Sequence, residues 1–275
     1  PNASLISNNI SSYPTTGELS NSFWIKLDDD LQDTRRIWQT SAGSSNSAVL
    51  WFTHGTISFL SRTSLGTHKR WEWTVDMNQF LEWQHVVLSW DGDFTSDPKL
   101  YVNKVEVSLT LTQGVTSGTT RLTPSSLYLF DDDDATSNAF ELRGNLQEFA
   151  LYNKELSSQE VTEIYNNGEY YDLQQSTMLS SILSYWHLGE ELTTHSFSEL
   201  VPNGTVISAT IGSVDLTVQN NIHISKGFYH KDISEETVEV VSYENPSFAV
   251  LPDGTSLAAL NIHRNGPYGF STFRQ

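Results

Sequence analysis

The 275 residues suffice for one large all-β domain or two smaller units, and 37% apolar with 12% aromatic residues gives ample material for a core. The 15 Lys and Arg face 33 Asp and Glu, a formal charge of −18 that repels phosphate backbones and anionic membranes and argues against nucleic acid as a partner. Cysteine is absent, which excludes a disulfide framework and a thiolate metal site. No run approaches the roughly 18 apolar residues of a membrane span, so membrane insertion is not expected, and no charged and then apolar leader opens the chain. Beginning at Pro1, the sequence reads as a piece of a longer product, processed or excerpted.

Residues 1–17 are rich in Asn and Ser around Leu5 and Ile6, a first strand with its loop or a linker. Ser22-Phe23-Trp24-Ile25-Lys26-Leu27 is a strand with Phe23, Ile25 and Leu27 on one face. Asp28, Asp29 and Asp30 then make a solvated turn or a set of cation ligands. Residues 37–40, 48–54 and 56–60 read as three short strands, separated by a Ser-Gly-rich loop and by Gly55. In Trp71-Glu72-Trp73-Thr74-Val75 two indoles share a strand face. Trp71 and Trp73 are therefore a candidate platform for a sugar ring, or one or both fill the core.

Trp83-Gln84-His85-Val86-Val87-Leu88-Ser89-Trp90-Asp91-Gly92, Leu100-Tyr101-Val102-Asn103, Leu127-Tyr128-Leu129 and Gly144-Asn145-Leu146-Gln147-Glu148-Phe149-Ala150-Leu151-Tyr152-Asn153 have the pattern of antiparallel strands bounded by turn residues. His85 reads as a half-buried strand residue. Val105, Val107, Leu109 and Leu111 alternate with Glu106, Ser108, Thr110 and Thr112, which predicts one strand with a core face and a water face. Over residues 157–167 a helix is expected: Ser157 and Glu160 have capping-box spacing, Val161, Ile164 and Tyr165 form an apolar stripe, and Gly168 suits a left-handed stop. Residues 172–183 read as a linker or a short helix-like segment. Ser184-Tyr185-Trp186-His187-Leu188-Gly189 and the alternating residues 205–225 are β sequence too short for a sandwich of its own. They pack on the first sandwich, the preferred reading, or pair with another copy of the chain. Residues 226–275 combine an alternating strand at 237–241 with a Pro-Gly-rich tail that cannot bury itself alone. This segment is expected to lie on a neighbouring surface and to join other protein chains in a homo-oligomer or larger assembly.

The order of these elements over residues 83–165 resembles the laminin G-like and pentraxin branch of the concanavalin A-like jelly rolls. The likeness rests on a tryptophan two before a histidine and an apolar strand, the Trp90-Asp91-Gly92 turn, the Leu100-Tyr101-Val102 strand, the closing Gly144-x-Leu146-x-Glu148-Phe149 strand and Leu156-Ser157-Ser158-Gln159-Glu160-Val161. It implies an all-β jelly-roll sandwich of two antiparallel sheets with one short capping helix over residues 1–171. Added strands at 172–225 would resemble the opening of a second such domain, and an extended tail at 226–275 would follow. Two positions depart from the family: Asn103-Lys104 replaces its usual Asp-Gly turn, and Gln147 stands where an aspartate is common.

Asp131-Asp132-Asp133-Asp134 follows the strand at 127–130. Four carboxylates on one loop repel unless solvated or neutralised, and Ca²⁺ accepts six to eight such oxygens. The resemblance to pentraxin-like domains carries a calcium onto Asp132, Asp133 and Asp134 with Asn138 as helper; a solvated hairpin tip is the alternative. Asp91, Asp93 and Asp97 lack a glutamate at the twelfth loop position and read as a surface turn. Enzymes of this fold that cleave β-glucans carry Glu-x-Asp-x-x-Glu on one strand, a pattern missing here, as are His-x-His, His-Glu-x-x-His and Gly-x-Ser-x-Gly. Residues 257–269 are similar to a segment of structural proteins of environmental marine viruses. The expectation is a non-enzymatic surface or virion structural protein, on a virion or an extracellular surface, with a lectin-like module. A calcium-dependent carbohydrate-binding module that recognises surface glycans is the alternative, and a glycan-cleaving enzyme comes third.

Overall fold

The computed structural model describes residues 4–7, 10, 13–28, 33–42, 45–115, 120–130, 142–169, 171–188, 199–201, 204, 206–212, 214–219, 222–224, 249–250, 256–257, 263–264 and 270–271. Two compact units emerge, residues 1–165 with 171–226 and residues 166–170 with 227–275. Along the first unit run β1 (Ser4–Ser7), β2 (Leu19–Leu27), β3 (Arg35–Ala42), β4 (Ser45–Thr53), β5 (Thr56–Arg62), β6 (His68–Thr74), β7 (Gln84–Trp90), β8 (Lys99–Val102), β9 (Val105–Val107), β10 (Leu109–Val115), β11 (Ser126–Leu129), β12 (Gly144–Tyr152), α1 (Ser158–Tyr165), β13 (Ile182–Trp186), β14 (Glu199–Val201), β15 (Val206–Ile207), β16 (Leu216–Gln219) and β17 (Ile222–Ile224). A nine-stranded sheet has the order β10-β6-β5-β4-β3-β11-β1-β16-β15, a six-stranded sheet the order β13-β12-β2-β7-β8-β9, and β14 pairs with β17. Among the described residues all strand pairs are antiparallel, and one short α-helix stands beside the sheets. This is the jelly-roll sandwich. In the second unit β18 (Ala249–Val250) pairs with β19 (Ser256–Leu257), and β20 (His263–Arg264) with β21 (Phe270–Ser271). The strand expected at 237–241 lies outside the described residues.

Alternation builds the core. Phe23, Ile25 and Leu27 of β2, Val86, Leu88 and Trp90 of β7, Leu50 and Phe52 of β4, Phe59 of β5, and Trp71 and Trp73 of β6 all enter one buried cluster shared by both sheets. Its centre is aromatic. Trp71 stacks on Phe59 at 5.6 Å and meets Trp90 of the opposite sheet edge-on at 5.3 Å, geometries that add about 0.5–1.5 kcal/mol per pair to the burial itself.

The Trp90-Asp91-Gly92 turn has a physical reason. Arg121, 1% exposed, donates through Nε to the Pro14 carbonyl at 2.9 Å, through Nη1 to Gly92 at 3.4 Å, and lies 5.2 Å over the Trp90 ring. A Cβ at residue 92 would stand 1.8 Å from the Gly17 carbonyl oxygen and 2.5 Å from Arg121 Nη1, and φ there is +81°. Glycine is obligatory.

On the other face of the six-stranded sheet, Val87, Tyr101, Ala150 and Tyr152 form a second core with Val161 and Ile164 of α1. The capping box is made: Glu160 accepts from the Ser157 backbone and hydroxyl, both at 2.9 Å, while its own N–H donates to Ser157 Oγ at 3.3 Å. At 103–104 the turn is left-handed twice over, with φ of +48° and +64°. Asn tolerates that backbone; Lys104 does so less readily, and its ammonium lies 5.5 Å from the Tyr165 ring.

One expectation fails here. Val105, Val107, Leu109 and Leu111 do not form one amphipathic strand, because the chain leaves the six-stranded sheet after β9 and enters the nine-stranded sheet as β10. Both are edge strands. Val105 is consequently 65% exposed and Leu111 36%, while Val107 and Leu109 only pack partly on the core. Of the β sequence after α1, β13 extends the six-stranded sheet beside β12, and β16 with β15 extends the nine-stranded one beside β1, while β14 and β17 pair with each other apart from both.

Replacing Gly92 by Ala should cost about 3 kcal/mol or more, the penalty of a clash against fixed backbone added to a left-handed φ. Gly17→Ala, where φ is +71° but nothing lies within 4 Å of the added carbon, should cost only about 1 kcal/mol. Chemical denaturation of the two variants checks the difference.

Candidate functional site

Of the residues singled out in the sequence, Trp71 and Trp73 are not a platform. They are 0% and 1% exposed, packed between the sheets, and Trp71 Nε1 donates to Asp97 Oδ1 at 2.8 Å. No sugar reaches them. Asp132, Asp133, Asp134 and Asn138 lie outside the described residues. The acidic loop at 91–97 serves itself: Asp91 accepts from the Asp93 amide at 2.9 Å and from the Ser96 hydroxyl, and Asp93 accepts from the Thr95 amide and hydroxyl at 2.8 and 2.9 Å. The Thr95 amide bond is the chief reason that the Asp93 pKa falls. Among the described residues no three His, Asp or Glu side chains converge to hold a metal ion.

The same alternation that buries Trp71 and Trp73 places Arg70, Glu72 and Thr74 on the outer face of the nine-stranded sheet. Cross-strand register sets Arg36, Trp51, Ser58 and Glu72 in one row of that face, and Gln39, Val49, Leu60 and Arg70 in the next. Arg62 lies two residues beyond Leu60 on β5. Six of the eight tryptophans are buried; Trp51 and Trp83 are the two with partial exposure. The Arg70 guanidinium sits 5.2 Å from the centre of the Trp51 ring and pairs with Glu72. Arg36 donates to Gln39 Oε1, whose amide donates to Ser41 Oγ at 3.0 Å. Ser58 Oγ, Arg62 Nε and Arg70 Nε are buried polar atoms without a hydrogen-bond partner. The partly exposed groups of the face are thus one indole, the guanidinium groups of Arg36, Arg62 and Arg70 and the Glu72 carboxylate, while Gln39 and Ser58 are buried.

Trp51 escaped the sequence reading because both alternate sets of β4 are apolar: Val49 and Trp51 on one face, Leu50 and Phe52 on the other. Its signal was indirect, since its paired neighbours are Arg36 and Ser58, polar residues in its row of the sheet.

The family model of the concanavalin A-like lectin/glucanases superfamily, in its laminin G form, matches residues 2–162. The chain belongs to that family. Among solved structures, a Bacteroides ovatus ATCC 8483 protein described as a carbohydrate-binding candidate is similar at 13% identity, covering 82% of this chain and 58% of its own, with a TM-score of 0.53. The ligand-binding domain of botulinum neurotoxin serotype D, solved with N-acetylneuraminic acid, shares 15% identity over 77% of this chain and 53% of its own, with a TM-score of 0.47. The serotype C1 binding domain gives 13%, 75%, 50% and 0.47. The chain therefore spans a little over half the length of the first of these and about half of the toxin domains. Such identities speak to fold alone. Among curated proteins none matches the chain.

Two polar sites lie on the other sheet. Glu148 occupies a bulge of β12 with φ +53°, which turns its carboxylate into a buried cluster where it accepts from Tyr185 Oη and pairs with His187 Nδ1 at 3.2 Å. His85 is fully buried, not half-buried, between Trp24 at 5.0 Å and Tyr165 at 6.0 Å, its Nδ1 without a partner. Burial lowers its pKa from 6.5 to about 3. The unfolded chain then binds a proton that the folded chain refuses, so this contribution to stability is whole above the ordinary pKa and is lost as pH falls from there toward 3. Between pH 7 and 5 the loss should be about 2 kcal/mol. Urea denaturation at both pH values should show it in the parent chain and not in a His85→Phe variant.

Proposed function

We propose that this chain is a lectin-like, carbohydrate-binding module of a non-enzymatic surface or virion structural protein, with the outer face of the nine-stranded sheet as its binding surface. The observation that carries the reading is Trp51, a partly exposed indole in one row with the partly exposed Arg36 and Glu72 and held by Arg70. Sugars need that pairing of chemistries. Their C–H faces pack on an aromatic ring, and their hydroxyls exchange hydrogen bonds with planar polar groups placed around it. The fold family supports the reading, as does the described carbohydrate-binding character of the Bacteroides protein. A binding role without turnover fits strands that carry no Glu-x-Asp-x-x-Glu set.

Two further parts of the proposal rest on sequence alone. Calcium is assigned to Asp132, Asp133, Asp134 and Asn138, and attachment to other chains to residues 226–275. The virion setting rests on the likeness of residues 257–269 to marine virus structural proteins.

On a carbohydrate microarray the chain should bind at least one glycan class, and Trp51→Ala should abolish that binding while shifting stability by less than about 1 kcal/mol. Trp71→Ala should instead lower stability by about 3–5 kcal/mol, the measured range for emptying a buried aromatic site. Binding that survives Trp51→Ala would refute the assignment of the face. For calcium, a thermal melt with and without chelator should differ, and the difference should vanish when Asp132, Asp133 and Asp134 are changed to Asn; superimposed melts would end the calcium part.

A further inference from the structure

Resting on the reading of the outer face as a sugar-binding surface, we infer that the glycan it takes is acidic, bearing a carboxylate or a sulfate that Arg62 and Arg70 receive. The observation is a charge reversal. The chain carries a formal −18, yet by strand register the ionisable side chains facing outward on β3 to β6 are Arg36, Arg62, Arg70, His68 and a single carboxylate, Glu72. Within that set Arg70 is paired with Glu72 and braced on Trp51. Arg62 makes no side-chain ion pair or hydrogen bond among the described residues, and its Nε, like that of Arg70, is buried and unpartnered. A guanidinium presents five N–H donors in a planar fork that matches carboxylate or sulfate oxygens, so an arginine without an ion pair, beside a second one, asks for an anion rather than for neutral hydroxyls.

Geometry agrees. Leu60 pairs with Arg70 and Arg62 pairs with His68, so Arg62 and Arg70 are diagonal neighbours on one face, about 7–8 Å apart at Cα. From Ser58, beside Trp51, to Arg62 is four residues along β5, about 13 Å of strand. That length holds a short oligosaccharide with one ring near the indole and an acidic neighbour toward Arg62. The overall negative charge does not forbid it: at physiological salt the field of distant carboxylates is screened within about 8 Å, and the arginines in contact decide the outcome.

The test is calorimetric titration of the full chain with an oligogalacturonate, with its methyl ester, in which the same rings carry no charge, and with a heparin-derived oligosaccharide as the sulfate arm. The variants are Arg62→Gln and a double Arg70→Gln, Glu72→Gln, which leaves no carboxylate unpaired; circular dichroism and melting confirm their fold. The expected result is binding of the carboxylate or the sulfate ligand, weaker by tenfold or more in each variant and falling as salt is raised. Which acidic arm binds identifies the anion. Preference for the methyl ester or another neutral glycan, or acidic binding that both variants retain, would overturn the inference and leave the carbohydrate-binding reading standing. No binding to any acidic or neutral glycan, on the array or in the titration, would overturn both.

Discussion

The structure depends on a single constraint: Trp71 and Trp73 must lie between the sheets. Trp71 is held there by Phe59, by Trp90 of the facing sheet and by the Asp97 carboxylate on its indole nitrogen. Side chains on a strand alternate, so a slip of one residue would expose two indoles and bury Arg70 and Glu72 in their place. Exposing two indoles forfeits several kcal/mol, and burying a guanidinium and a carboxylate adds several more. The register of β6 therefore has no competitor, and its outward residues are fixed by its inward ones. The outer face is a consequence of the core.

Polar groups inside the molecule follow a similar logic. Arg121 reaches backbone carbonyls of two loops and a tryptophan face, and so ties the segment before β2, the turn after β7 and the approach to β11. Glu148 requires a bulge and a left-handed backbone to meet Tyr185 and His187. His85 is kept neutral by burial among aromatic rings. Each stiffens the sandwich without offering chemistry to solvent.

Much of the fold was legible in the sequence because local signals agreed with the tertiary ones. Phe23, Ile25 and Leu27 alternate as they pack, Ser157 and Glu160 cap the helix they announce, and Gly92 is forced by Gly17 and Arg121. The site was less legible. Trp71 and Trp73 share a strand face whether that face meets sugar or core, and alternation cannot say which. Trp51 is hidden in an apolar run, and only its pairing with Arg36 and Ser58, a tertiary fact, reveals its direction. Residues 105–111 misled because unbroken alternation runs through a crossover between sheets, which periodicity does not mark.

Hydroxyl-radical footprinting with mass spectrometry, on the chain alone and with a glycan it binds, tests the dependence of face on core most directly. The account predicts oxidation of Trp51 in the free chain and its protection by glycan, with Trp71 and Trp73 unlabelled in both. Labelling of Trp71 or Trp73 that glycan suppresses, with Trp51 indifferent, would contradict it.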